Sequence, residues 1–176
     1  EKKFLLPKRQ LAPLLQQLDP WMIQDHYGLH TICTLYFDTP DNLFAQRQMD
    51  KPTFREKLRL RSYGVPRNTY TVYLELKKKV AGITYKRRMP LPLCEAKAYI
   101  QQGQPPTITG QVFHEIDWVM QQHHLEPRTV ICYDRIALYD REDGELRITF
   151  DDNARFRDTQ LDLACGDWGD LLAPPG

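Results

Sequence analysis

The chain has no apolar run of about 18 residues, the length a membrane-spanning helix needs, and no basic, apolar, small-residue leader. Neither a span nor a signal peptide is visible, and the sequence reads as a soluble protein. There is no C-x-x-C pair. The four cysteines, Cys33, Cys94, Cys132 and Cys165, are scattered with no histidine at ligand spacing, which argues against a zinc site or a disulfide framework and fits reduced thiols in a cytoplasmic protein. His123 and His124 are helix neighbours that point to different faces, so they read as a solvated helix end and not as a metal pair. The phosphate-cradling loop G-x-x-x-x-G-K-[ST] is missing, so a nucleotide would have to be held some other way. Net charge is nearly missing as well, with 24 Lys+Arg against 23 Asp+Glu.

What is present is one domain's worth of chain, 176 residues at 41% hydrophobic, enough for one sizeable core. The near-neutral total hides an uneven distribution. Between Lys51 and Pro90 twelve basic residues face only Glu56 and Glu75, a local charge of +10, while the rest of the chain carries −9. An anionic ligand is the first implication.

Periodicity predicts a helix over Pro7–Leu18, strands over Thr31–Phe37, Phe54–Tyr63, Thr69–Lys79 and Ile83–Met89, helices over Cys94–Gln102 and Gly110–His123, and strands over Thr129–Tyr139 and Glu145–Phe150. The chain also starts in an apparent strand. Short connections at Gly64–Asn68 and Ala81–Gly82 imply an antiparallel meander. Asp38–Asn42 reads as a turn, as does Asp151-Asp152-Asn153 after its strand. Alternation then splits each strand into two faces. Arg55, Lys57, Arg59 and Arg61 oppose Phe54, Leu58 and Leu60; Tyr73, Glu75, Lys77 and Lys79 oppose Val72, Leu74 and Leu76; Lys86 and Arg88 share a side. Tyr133 and Arg135 oppose Cys132 and Ile136, while Arg147, Thr149 and Asp151 oppose Leu146, Ile148 and Phe150. Rows of like charge on neighbouring strands repel, a cost that a bound anion relieves. A sheet curled with this face inward gives a closed antiparallel β-barrel in an α+β fold, helices packed outside. Arginine suits bidentate contact with phosphate oxygens, so phosphate is the preferred anion. Tyrosines among the bases (Tyr63, Tyr70, Tyr73, Tyr85) raise single-stranded nucleic acid as an alternative, but only Tyr73 is assigned to the charged side, which disfavours a specific nucleic-acid partner.

Glu1-Lys2-Lys3-Phe4, Thr34-Leu35-Tyr36-Phe37-Asp38-Thr39, Lys57-Leu58-Arg59-Leu60-Arg61, Leu74-Glu75-Leu76-Lys77, Lys86-Arg87-Arg88, Tyr133-Asp134-Arg135 and Arg147-Ile148-Thr149-Phe150-Asp151 occur in the order of the VTC domain. This is the polyphosphate polymerase domain of the vacuolar transporter chaperone family, in the triphosphate tunnel metalloenzyme superfamily. The resemblance implies a β-tunnel with a charged lumen that transfers the γ-phosphoryl of ATP to a growing inorganic polyphosphate, with Mn²⁺ or Mg²⁺ required. It implies phosphate-holding roles for Arg59, Arg61, Lys77, Lys86, Arg135 and Arg147, substrate contacts for Lys3 and, from the charged face, Lys57, Arg88 and Tyr133, and metal ligation by Glu1 and Glu75. The family's last strand, with its metal-binding Glu, would follow Leu171-Leu172, so residues 1–176 are expected to form a single tunnel domain short of its closing strand. Hydrolysis of triphosphates on the same fold, or binding of a polyanion without catalysis, are the alternatives.

Overall fold

The computed structural model describes residues 2–142 and 144–172. The elements run α1 (Lys8–Leu18), β1 (Met22–Gln24), β2 (His30–Asp38), α2 (Leu43–Asp50), β3 (Phe54–Tyr63), β4 (Thr71–Val80), β5 (Ile83–Pro92), α3 (Leu93–Gln102), α4 (Gln111–Gln122), β6 (Glu126–Asp140), β7 (Arg147–Arg157), a 3-10 turn (Leu163–Cys165) and β8 (Asp170–Leu171). All strands join one antiparallel sheet in the order β5-β4-β3-β2-β6-β7-β8, with β1 also pairing on β6. The β4–β5 hairpin turns on Ala81 and Gly82 at φ +48 and +86, the doubly left-handed pair that suits the twist of a two-residue hairpin. None of the helices among the described residues is long and apolar enough to cross a membrane.

Period-2 burial sorts the sheet. Leu58 and Leu60 of β3, Val72, Leu74 and Leu76 of β4, Cys33, Leu35 and Phe37 of β2, and Val130 and Cys132 of β6 form one apolar face. It is covered by Phe44 of α2, Leu93, Ala96 and Tyr99 of α3, and Phe113, Ile116 and Val119 of α4. The basic residues are thereby left on the opposite face, and helices do pack outside as expected. Helix α1 contributes no buried residue.

Several expectations are corrected. The closed barrel is not observed: among the described residues β5 and β8 are unpaired edges, and β8 offers only two paired positions, Leu171 to Arg155 and Asp170 to Phe156. Residues 2–7 carry no regular structure, so no strand opens the described chain. Asp151, Asp152 and Asn153 do not end a strand but lie inside β7, next to a bulge at which the β6 register shifts between Cys132 and Asp134. Asn153 there has φ +51. Helix α2 follows the expected turn because Asp38, 7% exposed, accepts from the amides of Phe44 and Ala45 at 2.8 Å each, satisfying donors that a helix start leaves free. His124 is exposed as expected, but His123 is half-buried. Its ring meets Phe44 edge-on at 5.1 Å, and its Nε2 lies 3.3 Å from Glu56, a carboxylate 3% exposed on the apolar side.

Gly169 places β8 against β7. A Cβ at this position would collide with the backbone of Phe156, which cannot swing aside as a side chain can. Gly169→Ala is expected to cost about 1–3 kcal/mol, in the range of overpacked sites, read as a lowered melting temperature.

Candidate functional site

Strand register sets the charged face out as rows. Tyr36 of β2 stands opposite Arg59 of β3, Arg59 opposite Glu75 of β4, and Glu75 opposite Arg88 of β5. One step toward the β3 C-terminus, Thr34 faces Arg61 and Arg61 faces Tyr73. One step the other way, Lys57, Lys77 and Lys86 stand in a line across β3, β4 and β5. On the other side of β2, Arg135 of β6 stands opposite both His30 and Asp151 of β7.

Glu75 is the hub. It is 1% exposed, takes a hydrogen bond from Arg59 Nε on Oε2 at 2.6 Å, and has Lys86 Nζ and Arg88 Nε each 3.2 Å from Oε1 as charge contacts without hydrogen-bond geometry. Burial pushes its carboxyl up, but Arg59, Arg61 and Lys86 outweigh that and hold it below the usual carboxylate range. Burial also pulls on Arg59, whose guanidinium is nonetheless held above its ordinary value by Glu75 and Tyr36. A second pair is bidentate: Arg135 donates from Nε to Asp151 Oδ1 at 2.6 Å and from Nη2 to Oδ2 at 2.7 Å, while its guanidinium lies 5.1 Å over the Tyr133 ring.

Arg61 is different. It is 8% exposed, its Nε has no hydrogen-bond partner, and Nη2 reaches Tyr133 Oη only at 3.4 Å. Among the described residues no carboxylate forms an ion pair with it. The hydroxyl of Thr34, its neighbour on β2 and 0% exposed, is orphaned too. Polar groups buried without partners cost stability, and here a cationic donor and a neutral hydroxyl on paired residues both lack one. Lys57 is strained in another way. Burial lowers it from the ordinary lysine value, Tyr36 opposes that, and Lys3, Lys77 and Arg59 add to it.

The structure thus brings together Arg59, Arg61, Lys57, Lys77, Lys86, Arg88 and Glu75, with Arg135 and Tyr133 flanking across β2. Lys3 lies in the irregular segment ahead of α1, near enough to act on Lys57. Arg147 stands apart: opposite Tyr139 and four residues along β7 from Asp151, it is about 13 Å from the Arg135 row at the rise of a strand. Glu1 lies outside the described residues. Sequence reasoning missed Tyr36 and Thr34, whose place beside Arg59 and Arg61 is a matter of which strand pairs with which. It also misplaced Tyr63. That ring shares the face of Arg61 by simple alternation, and its hydroxyl accepts from Arg88 Nη2 at 3.1 Å, so Tyr73 is not alone on the charged side.

A resident divalent cation does not fit the described donors. No group of three or more His, Cys, Asp or Glu side chains gathers among the described residues, Glu75 is hemmed in by cations, and Asp151 is taken by Arg135. Mn²⁺ or Mg²⁺ would meet three positive side chains before reaching the Glu75 oxygens.

Residues 1–173 match the family model described as the VTC domain. No curated protein matches the chain. Among solved structures, a protein of Bacillus halodurans suggested to be an adenylate cyclase aligns at a TM-score of 0.54 and 18% identity, over 93% of this chain and 82% of that one. At that identity it supports the fold alone.

Because Glu75 is the counter-ion for three cations, Glu75→Gln is expected to cost about 2 kcal/mol at neutral pH, below the range for a fully buried broken pair because Lys86 and Arg88 keep solvent contact. The sign with pH follows from the depressed carboxyl. Its contribution is present above the ordinary glutamate range and is lost as pH falls through the lower folded value. Urea unfolding across that acid range should show a gap between parent and variant that closes on acidification.

Proposed function

The chain belongs to the VTC domain family of the triphosphate tunnel superfamily, and on that premise we propose that it transfers the γ-phosphoryl group of ATP to the end of a growing inorganic polyphosphate. The observation that supports this most directly is Arg61, a guanidinium 8% exposed with an orphaned Nε and no carboxylate partner among the described residues. Glu75 acts on it through space but makes no ion pair with it, so its donors are left for an arriving anion, and a phosphate oxygen matches its donor fork.

Phosphoryl transfer asks a protein for position and for charge placed where negative charge spreads in the transition state. Arg59 and Arg61 hold the transferred group, with Arg59 fixed by its bond to Glu75. Arg88 and Lys86, tied to the same carboxylate, flank it. The row of Lys57, Lys77 and Lys86 spans three strands about 4.8 Å apart and offers a track of charge for a linear polyanion. The attacking group is a terminal phosphate oxygen already ionised at neutral pH, so no general base is needed. Its lone pair forms the new O–P bond as the bond from the γ-phosphorus to the β,γ-bridging oxygen breaks, and ADP leaves with that electron pair. A divalent cation, which family membership implies, would neutralise phosphate charge as part of the nucleotide substrate and not as an ion held by Glu75. The cations of the sheet do the binding and orienting.

Arg61→Ala is expected to lower synthesis by about 10²–10³, the loss typical of one preorganised donor, and Arg59→Ala with Arg61→Ala to abolish it. The assay is incubation with ATP and Mn²⁺ followed by gel analysis of chain length. Undiminished synthesis by the double variant defeats the proposal, and free phosphate in place of chains assigns hydrolysis instead. A bound polyanion favours charged Lys57, so tripolyphosphate affinity should fall as pH rises through the lowered lysine value. In Lys57→Arg, titration calorimetry should show that dependence flattened.

A further inference from the structure

At the end of the charged face beyond Arg61, aromatic rings collect where nothing buries them. Tyr27 and Tyr63 are 57% and 43% exposed, yet their rings lie parallel within 13° with centroids 6.1 Å apart. Tyr63 also meets Tyr73 edge-on at 5.8 Å, and the guanidinium of Arg88 sits 3.5 Å over the Tyr73 ring. His30 fills the angle, 5.6 Å from Tyr27 and 6.1 Å from Tyr63. Tyr27 is carried by a turn closed by Gly28 N–H donating to Asp25 O at 3.1 Å, with Gly28 at φ +61. The ring is therefore presented by a short structured turn against a strand.

This rim is continuous with the phosphate site. Tyr63 is two residues from Arg61 on the same face of β3, about 7 Å at the rise of a strand. The same Arg88 that contacts Glu75 donates to Tyr63 Oη at 3.1 Å. Exposed rings held in a stack offer a π-face, which a linear polyphosphate has no means of using and a nucleobase does.

We propose that the Tyr27–Tyr63 rim binds the base of the nucleoside triphosphate donor by stacking, so that the site distinguishes the donor nucleotide from the inorganic chain it extends. This rests on the phosphate-site reading above. Base and triphosphate then run along one strand face, base at the rim and phosphates from Arg61 inward, while the lysine row on the far side of Glu75 is left for the product.

The test is calorimetric titration of the parent and of Tyr27→Ala with ATP and with inorganic tripolyphosphate. Tyr27 is exposed and touches neither Glu75 nor Arg61, so the variant should melt as the parent does. Tyr27→Ala is expected to weaken ATP about tenfold, the scale of one lost base stack, with tripolyphosphate unchanged, and Tyr27→Phe to restore ATP binding. Equal weakening of both ligands, or of neither, overturns the base-binding role while leaving the phosphate site standing. Failure of tripolyphosphate to bind the parent at all instead removes the phosphate-site reading, and the rim proposal falls with it. An oligonucleotide that binds the parent as tightly as ATP assigns the rim to single-stranded nucleic acid and also overturns it.

Discussion

Mutual repulsion among cations on one face of a sheet is the constraint around which this protein is arranged. Lys57, Lys77 and Lys86 stand side by side across three strands, a placement that in isolation destabilises a sheet. Glu75 answers part of it by holding Arg59, Lys86 and Arg88 at once. One carboxylate cannot balance the whole set: Lys57 is lowered first by burial and then further by Lys3, Lys77 and Arg59, and Arg61 Nε is left without a partner. The residual positive potential is the property a phosphate ligand would use, and it exists before any ligand arrives.

The apolar face makes that excess tolerable. Leu58, Leu60, Leu74 and Leu76, each at 1% exposure or less, alternate with the charged residues along the same strands, so burial beneath α3 and α4 holds in register the backbone that carries the repelling groups. Functional strain and structural stability are thus divided between odd and even positions of the same segments, not between separate regions. β2 shows the limit of that division. It is central, and Ile32 and Thr34 on its charged side are as buried as Cys33 and Leu35 on the other.

How much of this the sequence disclosed follows the range of each interaction. Two-residue alternation is local, and it placed Arg59, Arg61, Glu75, Lys77, Lys86, Arg88 and Arg135 on one face before any strand pairing was known. Partnership across strands is not local. Nothing near Thr34 or Tyr36 says that they stand beside Arg61 and Arg59, and nothing near Glu75 says that three cations converge on it and leave no room for a metal. Closure of the sheet is more remote still, since it depends on whether the edges β5 and β8 meet. Helix α2 escaped because its start lies in a side chain, Asp38, whose bonds to Phe44 and Ala45 span six and seven residues. Tyr63, two residues from Arg61 on β3, is on the charged face by the same local alternation.

The bulge in β7 carries a further consequence. Before it, odd-numbered residues (Arg147, Thr149, Asp151) share the face of Arg135; after it, odd-numbered residues belong to the other side, with Arg155 opposite Cys132 and Arg157 opposite Val130. One inserted residue therefore works as a frameshift in space. It diverts two arginines from an already overcharged surface to a task of fastening. Arg155 bonds Asp167 and Asp134, and Arg157, 3% exposed, is held by the carbonyls of Gln160, Asp162 and Trp168, so both now clasp the segment leading to β8. Charge that would have deepened the repulsion is spent as a buckle, and a single-residue deletion near Asn153 would return it to the face while releasing the segment it secures.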